Sequence, residues 1–293
     1  MPLPLYIVDA FTDRAFAGNP AAVCVLETNR WPDSGWMQAV AAEMNLSETA
    51  FVRPPAGGTN RGNGSAGPVH PIRYFTPTIE VALCGHATLA SAHVWFAHRG
   101  VAPDRPIAFR TTADQTLTCS RADNGAISME FPAHPVLSTD PAEAPVGLHA
   151  ALGVEPEELL RVGPFWLARL GDAAAVRDLR PDHTALAQLA WGEAHGVVVT
   201  ARGGATPDGR AADFSSRFFA PAAGIPEDPV TGSAHCALGP YWAERLGRHE
   251  LLAFQASARG GVLDLRIDGP RVSLGGRAVT TVLGQWVGPD PAE

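Results

Sequence analysis

Two stretches of this chain repeat one another, and the repeat limits what the chain can fold into. RYFTPTIEVALCGHATLASAHVWFA begins at Arg73, and RFFAPAAGIPEDPVTGSAHCALGPYWA begins 144 residues later at Arg217. Each opens with Arg, an aromatic, Phe, a small residue and Pro. Each then passes through a loop to a glycine, 12 residues on at Gly85 and 15 residues on at Gly232, and into an alanine-rich run that ends in aromatics. Upstream, AGNPAAVCVL from Ala17 is echoed by VGPFWLARL from Val162. MQAVAAEMNLSETAFV is echoed by LAQLAWGEAHGVVV near residue 190. The order of the pieces is kept. A period this long is not a solenoid. It predicts two similar domains, each with its own strands and one principal helix, and 293 residues suffice for two domains of ordinary size.

Thirty glycines and 26 prolines imply many turns, hence many short strands. LYIVDAF, AAVCVL, TAFVR, IRYFT, IAFRTT, QTLTCS and AISMEF read as strands in the first half. FWLARL, HGVVVT, FSSRFF, VLDLRI and RVSLGG do so in the second. Helices are expected over Trp36–Met44, Ala87–His98, Thr184–Trp191 and Ala234–Leu246, with Gly100 and Gly247 as stop signals. Pro240 should kink the last helix or open its first turns. PPAGGTNRGNGSAGP, from Pro54 to Pro68, has the composition of a flexible surface loop. A proline-rich break around His134–Pro145 separates the halves.

The composition excludes several classes. With 22 basic and 30 acidic residues the formal charge is −8, and no basic run stands out, which argues against nucleic acid or an anionic membrane surface as a partner. Val81–Phe96 is too short and too polar to span a bilayer. MPLPLYIVDAF has neither a basic region nor a cleavage site, so no signal peptide is read and a cytoplasmic location is expected. The four cysteines Cys24, Cys84, Cys119 and Cys236 are too few and too scattered for a disulfide framework. No CxxC occurs, so no structural metal is expected.

Both copies place a glycine just before a helix, which leaves backbone N–H groups pointing outward at the positive end of the helix dipole. Gly85 and Gly232 are therefore candidate carboxylate-binding positions. If the halves faced each other, the two helix starts would meet at one cleft suited to a carboxylate or an enolate. His86 follows Gly85, and the helix end should lower its pKa; it reads as a neutral hydrogen-bond partner or as a capping residue. Cys84 could become a nucleophilic thiolate there, but the second copy has no matching cysteine, and a structural role is the plainer reading. Asp228 in EDPVTGS could orient a substrate or make an Asx turn. Glu48 in NLSETAFV could shuttle protons if buried; on spacing alone it reads as a solvated loop glutamate. Asn19 in AGNPAAV could reach a substrate or only shape its turn.

Together VDAFTDRAFAGNPAAV, MNLSETAFV, RYFTPTIEVALCGHATLASAH, EDPVTGSAHCALGPYWA and the closing QxSxRGG segment resemble the PhzF-like family, named for the phenazine biosynthesis isomerase. That family shares the diaminopimelate epimerase fold. The resemblance implies an α+β protein of two pseudo-symmetric β-barrel-like halves, each wrapped round a central helix, with the active site in the cleft between them. It places one domain at 1–130, completed by 278–293, and the other at 131–277. It implies no metal, no organic cofactor and a homodimer. By position it makes Glu48, His86 and Asp228 catalytic, and gives Asn19, Ser47, Gly85, Gly232 and Ser233 to a small carboxylate or amino-acid-like substrate. Epimerases of this fold use two facing cysteines, and this chain has only Cys84, so one carboxylate is the expected shuttle.

The expected activity is a cofactor-independent isomerase in which Glu48 moves a proton between carbons of a small unsaturated acid or amino acid. Its rivals are a thiol-dependent racemase or epimerase and a non-catalytic binding protein. A Cys–His hydrolase is disfavoured because Cys84 and His86 are too close in sequence and no third orienting group is visible.

Overall fold

The computed structural model describes residues 3–55 and 68–288. Most of the glycine-rich segment expected to be a loop, residues 56–67, lies outside them. The chain divides into two compact units, residues 1–130 with 275–293, and residues 131–274.

In the first unit, β1 (Leu3–Ala10) runs antiparallel to β2 (Asn19–Val25), which lies parallel to β3 (Glu48–Val52). The intervening α1 (Ser34–Met44) makes that parallel crossover possible. β4 (Val69–Phe75) is antiparallel to β3, pairs with the short β5 (Glu80–Val81), and lies parallel to β6 (Ile107–Arg110). The helix α2 (Gly85–His98) supplies this second crossover. β7 (Thr116–Arg121) and β8 (Ile127–Pro132) continue antiparallel. The last strand of the chain, β18 (Ala278–Trp286), returns to pair with β1.

The second unit repeats this order. After β9 (Val136–Ser138) and the short α3 (Leu148–Leu152), β10 (Glu158–Val162) is antiparallel to β11 (Phe165–Arg169), which is parallel to β12 (Gly196–Arg202). The short helices α4 (Ala173–Asp178) and α5 (His183–Gln188) fill the place of α1. β13 (Phe214–Ala220) is antiparallel to β12, pairs with β14 (Ile225–Asp228) and lies parallel to β15 (Glu250–Gln255), with α6 (Gly232–Leu246) as the crossover. β15 pairs antiparallel with β16 (Gly261–Asp268), and β17 (Arg271–Gly276) follows. The internal repeat is thus a repeat of topology. Its opening arginines have one job in both copies: Arg73 on β4 grips Glu80 on β5, and Arg217 on β13 grips Glu227 on β14, each through two guanidinium nitrogens.

The architecture is α+β and dominated by sheet. Barrel-like halves were expected, but among the described residues no pairing joins the two ends of either ladder, so the sheet is not closed. Every residue of α2 from His86 to Ala92 is buried, and the helix packs against β1, β2, β3, β6 and β18. α6 is buried along most of its length against β15 and β16. A helix apolar nearly all round needs such enclosure. No helix among the described residues is long and apolar enough to cross a membrane.

The expected strands are present to within a few residues, and β5, β9, β10, β14, β15 and β18 are strands beyond those expected. The helix expected over Thr184–Trp191 is shorter, ending at Gln188, because Trp191 turns inward and donates its indole N–H to the Leu186 carbonyl at 3.0 Å. α6 is continuous from Gly232 through Pro240 to Leu246, so the proline does not open its first turns. A proline cannot donate to the carbonyl four residues back. That carbonyl, on Cys236, instead accepts from the His134 N–H at 3.0 Å, so the proline leaves no orphan.

Candidate active site

The starts of β2, β3 and α2 lie at one end of the first unit. β2 and β3 are parallel, with Ala21 opposite Glu48. β4 runs back along β3, so the loop after Phe75 delivers α2 to the same end. Three candidates from distant sequence positions therefore meet. Nδ2 of Asn19 lies 3.2 Å from Nδ1 of His86, Sγ of Cys84 lies 3.4 Å from that nitrogen, and Oε2 of Glu48 lies 3.2 Å from Nε2 on the opposite side of the ring.

The state of the imidazole follows from its surroundings. His86 is 5% exposed, and burial lowers its pKa from 6.5 to about 3, so it is neutral near pH 7. The contact with Glu48 is thus within ion-pair distance without being an ion pair. Nor is it an aligned hydrogen bond, since Nε2 has no partner of good geometry; such contacts often tighten only when substrate binds. An amide nitrogen can only donate, so Asn19 holds Nδ1 as an acceptor and leaves the proton on Nε2, toward Glu48.

The helix entrance itself is locked from below. The Tyr74 hydroxyl donates to Thr88 Oγ1 at 2.6 Å, and Thr88 in turn donates to the Cys84 carbonyl at 2.6 Å. Cys84 is the N-cap and makes no side-chain cap bond. The second unit does the same: Thr231 is the N-cap of α6 without a side-chain cap bond, and Nδ1 of His235 donates to its carbonyl at 2.8 Å. In both units the residue four positions into the helix ties down the cap. The peripheral helices α1, α4 and α5 instead have their first N–H groups covered by Asp33, Asp172 and Asp182. The two buried helices thus present helix starts that no side chain of the cap residue covers, which suits an anionic group.

In the second unit Asp228 is buried, and its Oδ2 accepts from the Thr231 hydroxyl. Gln255, fully buried, clamps the loop: its Oε1 accepts from the Thr231 N–H at 2.8 Å, and its Nε2 donates to the Asp228 carbonyl at 2.8 Å and to Thr231 Oγ1 at 3.2 Å. Ser257 adds a bond to the Pro229 carbonyl at 2.8 Å. Gly232 is buried and Ser233 exposed. Sequence reasoning noted the QxSxRGG pattern without giving Gln255 or Ser257 a task. A buried glutamine closing a strand is the signal that pointed to them. Gly196 heads β12, where Glu48 heads β3, and a Cβ there would stand 2.1 Å from the Phe219 carbonyl oxygen. The second unit therefore has no room for a carboxylate at that position.

Of the remaining candidates, Ser47 is half-buried beside Glu48. Gly85 is half-buried at the first position of α2. Asn19, expected as a substrate contact, is fully buried on His86. Cys84, expected to be a bystander, belongs to the same cluster. Glu48, Cys84 and His86 present ligand-type atoms within 4.8 Å of one another. They do not fit one ion well as arranged, because the thiol faces Nδ1 and the carboxylate faces Nε2, and each ring nitrogen offers its lone pair in its own direction.

The fold is of the epimerase class. A hydroxyproline epimerase from Agrobacterium vitis shares it with a TM-score of 0.60 over 97% of this chain and 92% of that one, at 11% identity, a level that speaks for the fold alone. Within that class the chain belongs to the PhzC–PhzF family of phenazine biosynthesis-like proteins, whose profile matches residues 8–284. A PhzF-family protein of Enterococcus faecalis superposes with a TM-score of 0.81 at 38% identity, covering 98% of this chain and 99% of that chain. A relative from Halalkalibacterium halodurans, called an uncharacterized isomerase, is 44% identical over 285 residues, which is 96% of this chain and 97% of the relative. These likenesses support an isomerase or epimerase of the PhzF type.

Proposed function

We propose that the protein is a cofactor-independent isomerase in which Glu48 takes a proton from one carbon of a small unsaturated acid or amino acid and returns it to another. The observation that carries this reading is the 3.2 Å approach of Glu48 Oε2 to Nε2 of a neutral, buried His86. A neutral imidazole can donate to the carboxylate and orient it without neutralising its charge. As the proton leaves carbon, negative charge spreads into the substrate's carboxyl group, and backbone N–H groups at the start of α2, around Gly85, are suited to receive it. In the second unit Gln255 and Thr231 hold the loop of Asp228, Gly232 and Ser233 in shape.

A thiol-dependent epimerase is the second reading, favoured by the 3.4 Å contact between Cys84 Sγ and His86 Nδ1. It needs a second acid or base, and the matching cap position in the other unit is Thr231. The two readings part under substitution. Assaying Glu48→Gln and Cys84→Ser for carbon–deuterium exchange in heavy water, over a panel of unsaturated and cyclic amino acids, tests them: the proposal expects loss in the first and survival in the second.

A further inference from the structure

We propose that the second unit carries an anion site of its own, at the C-terminal end of α6, which takes a small monocarboxylate with an apolar body. The inference does not rest on the reading of Glu48.

A cavity of about 570 Å³ opens where the start of β10, the ends of β11 and β12 and the last turn of α6 come together. That volume lies within the range of small-molecule sites. At the helical rise per residue the cavity stands about 20 Å along α6 from Gly232. It is therefore separate from the loop that carries Asp228.

The charged wall of the cavity is built of arginines held by glutamates. Glu158, at the start of β10, accepts from Nη2 of Arg245 at 2.7 and 2.8 Å, from Nε of Arg169 at 3.3 Å and from the Tyr241 hydroxyl at 2.5 Å. Glu157 takes Nη1 of Arg169. The Arg245 guanidinium also lies 3.7 Å from the centre of the Tyr241 ring, which fixes it further. By itself such a cluster is a set of ion pairs fastening the end of α6 to β10, and pairs of this kind contribute little at a surface.

One residue is left over. Arg202, the last residue of β12, lines the same cavity, and its side chain has no hydrogen bond or ion pair among the described residues. Both nearby carboxylates are already taken by Arg169 and Arg245. Nη2 of Arg169, and Nε and Nη1 of Arg245, likewise make no hydrogen bond among the described residues. The wall therefore offers guanidinium donors that the protein itself does not use.

Charge decides which anion suits it. The chain has eight more acidic than basic residues, yet this cavity has the opposite sign. Three arginines against two glutamates leave one positive charge, and the carbonyl end of α6 takes off about half of it. That remainder suits a monoanion and is too small for a phosphate dianion. The planar fork of Arg202 matches the two oxygens of a carboxylate. The apolar side of the cavity is rigid. Trp242 and Leu170 are 3% and 2% exposed. Trp242 stacks on Phe214 with ring centres 5.8 Å apart, and its indole N–H donates to Thr200 Oγ1 at 2.9 Å. A carboxylate held by Arg202 has this pinned indole for its hydrocarbon part.

Titrating nitrogen-15-labelled protein with benzoate, and following the indole N–H signal of Trp242, tests this on the full chain and on Arg202→Gln. Benzoate should move the signal saturably in the full chain. Arg202→Gln should weaken binding about tenfold or more, with an unaltered melting temperature because Arg202 is exposed and unpaired among the described residues. Inorganic phosphate should bind the full chain more weakly than benzoate. A Trp242 signal that does not move saturably in the full chain overturns the proposal. An affinity in Arg202→Gln equal to that of the full chain also overturns it, because the benzoate would then sit elsewhere. Phosphate binding more tightly than benzoate overturns it as well, since the site would then be one for a dianion.

Discussion

Nδ2 of Asn19 sits 3.2 Å from Nδ1 of His86, both side chains are buried, and this pairing decides which edge of the imidazole is left for chemistry. The amide can only donate, so the ring proton resides on Nε2, on the side of Glu48. Nitrogen-15 NMR of the imidazole should report the Nε2–H tautomer in the full chain at pH 7. Asn19→Asp places an acceptor at the same spot and should shift the proton to Nδ1 or keep the ring charged to higher pH. An unchanged tautomer in that variant would reduce Asn19 to a packing residue.

Buried neutral histidines predict a specific acid sensitivity. Burial lowers His86 to about 3 and His235 to about 4, from 6.5. Between those values and 6.5 the unfolded chain binds more protons than the folded one, so stability rises with pH across that window and is lost as pH falls through it. Each group contributes at most roughly 1.4 kcal/mol per pH unit within its own window. Urea denaturation between pH 7 and pH 4.5 should show this decline, and His235→Gln should lessen its slope while leaving the share of His86. A stability that does not change over that range would mean that these rings are already accessible to protons.

Gln255 closes the loop that carries Asp228 by three hydrogen bonds, with no exposed surface of its own. Gln255→Met keeps the length and strands the buried Thr231 N–H. A loss of about 1–3 kcal/mol in chemical denaturation follows. A Gln255→Met variant of normal stability would show that the loop is held by something else.

The relation between sequence and structure differs sharply between fold and site. The repeat from Arg73 and Arg217 was readable because it encodes local events: an arginine on a strand, a returning carboxylate, a glycine at a helix start. Strand ends and the two long helices followed from the same short-range chemistry. What spacing could not supply was proximity. Glu48 read alone as a solvated glutamate; only the parallel pairing of β2 with β3 brings it to His86. Nor does spacing place the Cys84 thiol and the Asn19 amide on the same ring nitrogen of His86. Pro240 was expected to distort α6, and the His134 N–H that satisfies the stranded carbonyl comes from a segment about a hundred residues away in sequence.

The most direct test of the account follows the proton. Incubating the protein in heavy water with a panel of unsaturated and cyclic acids and amino acids, and reading proton NMR of the recovered compounds, detects exchange at carbon. At least one member should acquire deuterium at carbon in the presence of the full chain. Glu48→Gln should slow that exchange by about a thousandfold or more with an unchanged melting temperature, while Cys84→Ser retains it. Exchange that persists in Glu48→Gln and disappears in Cys84→Ser would contradict the carboxylate shuttle and hand the chemistry to the thiol.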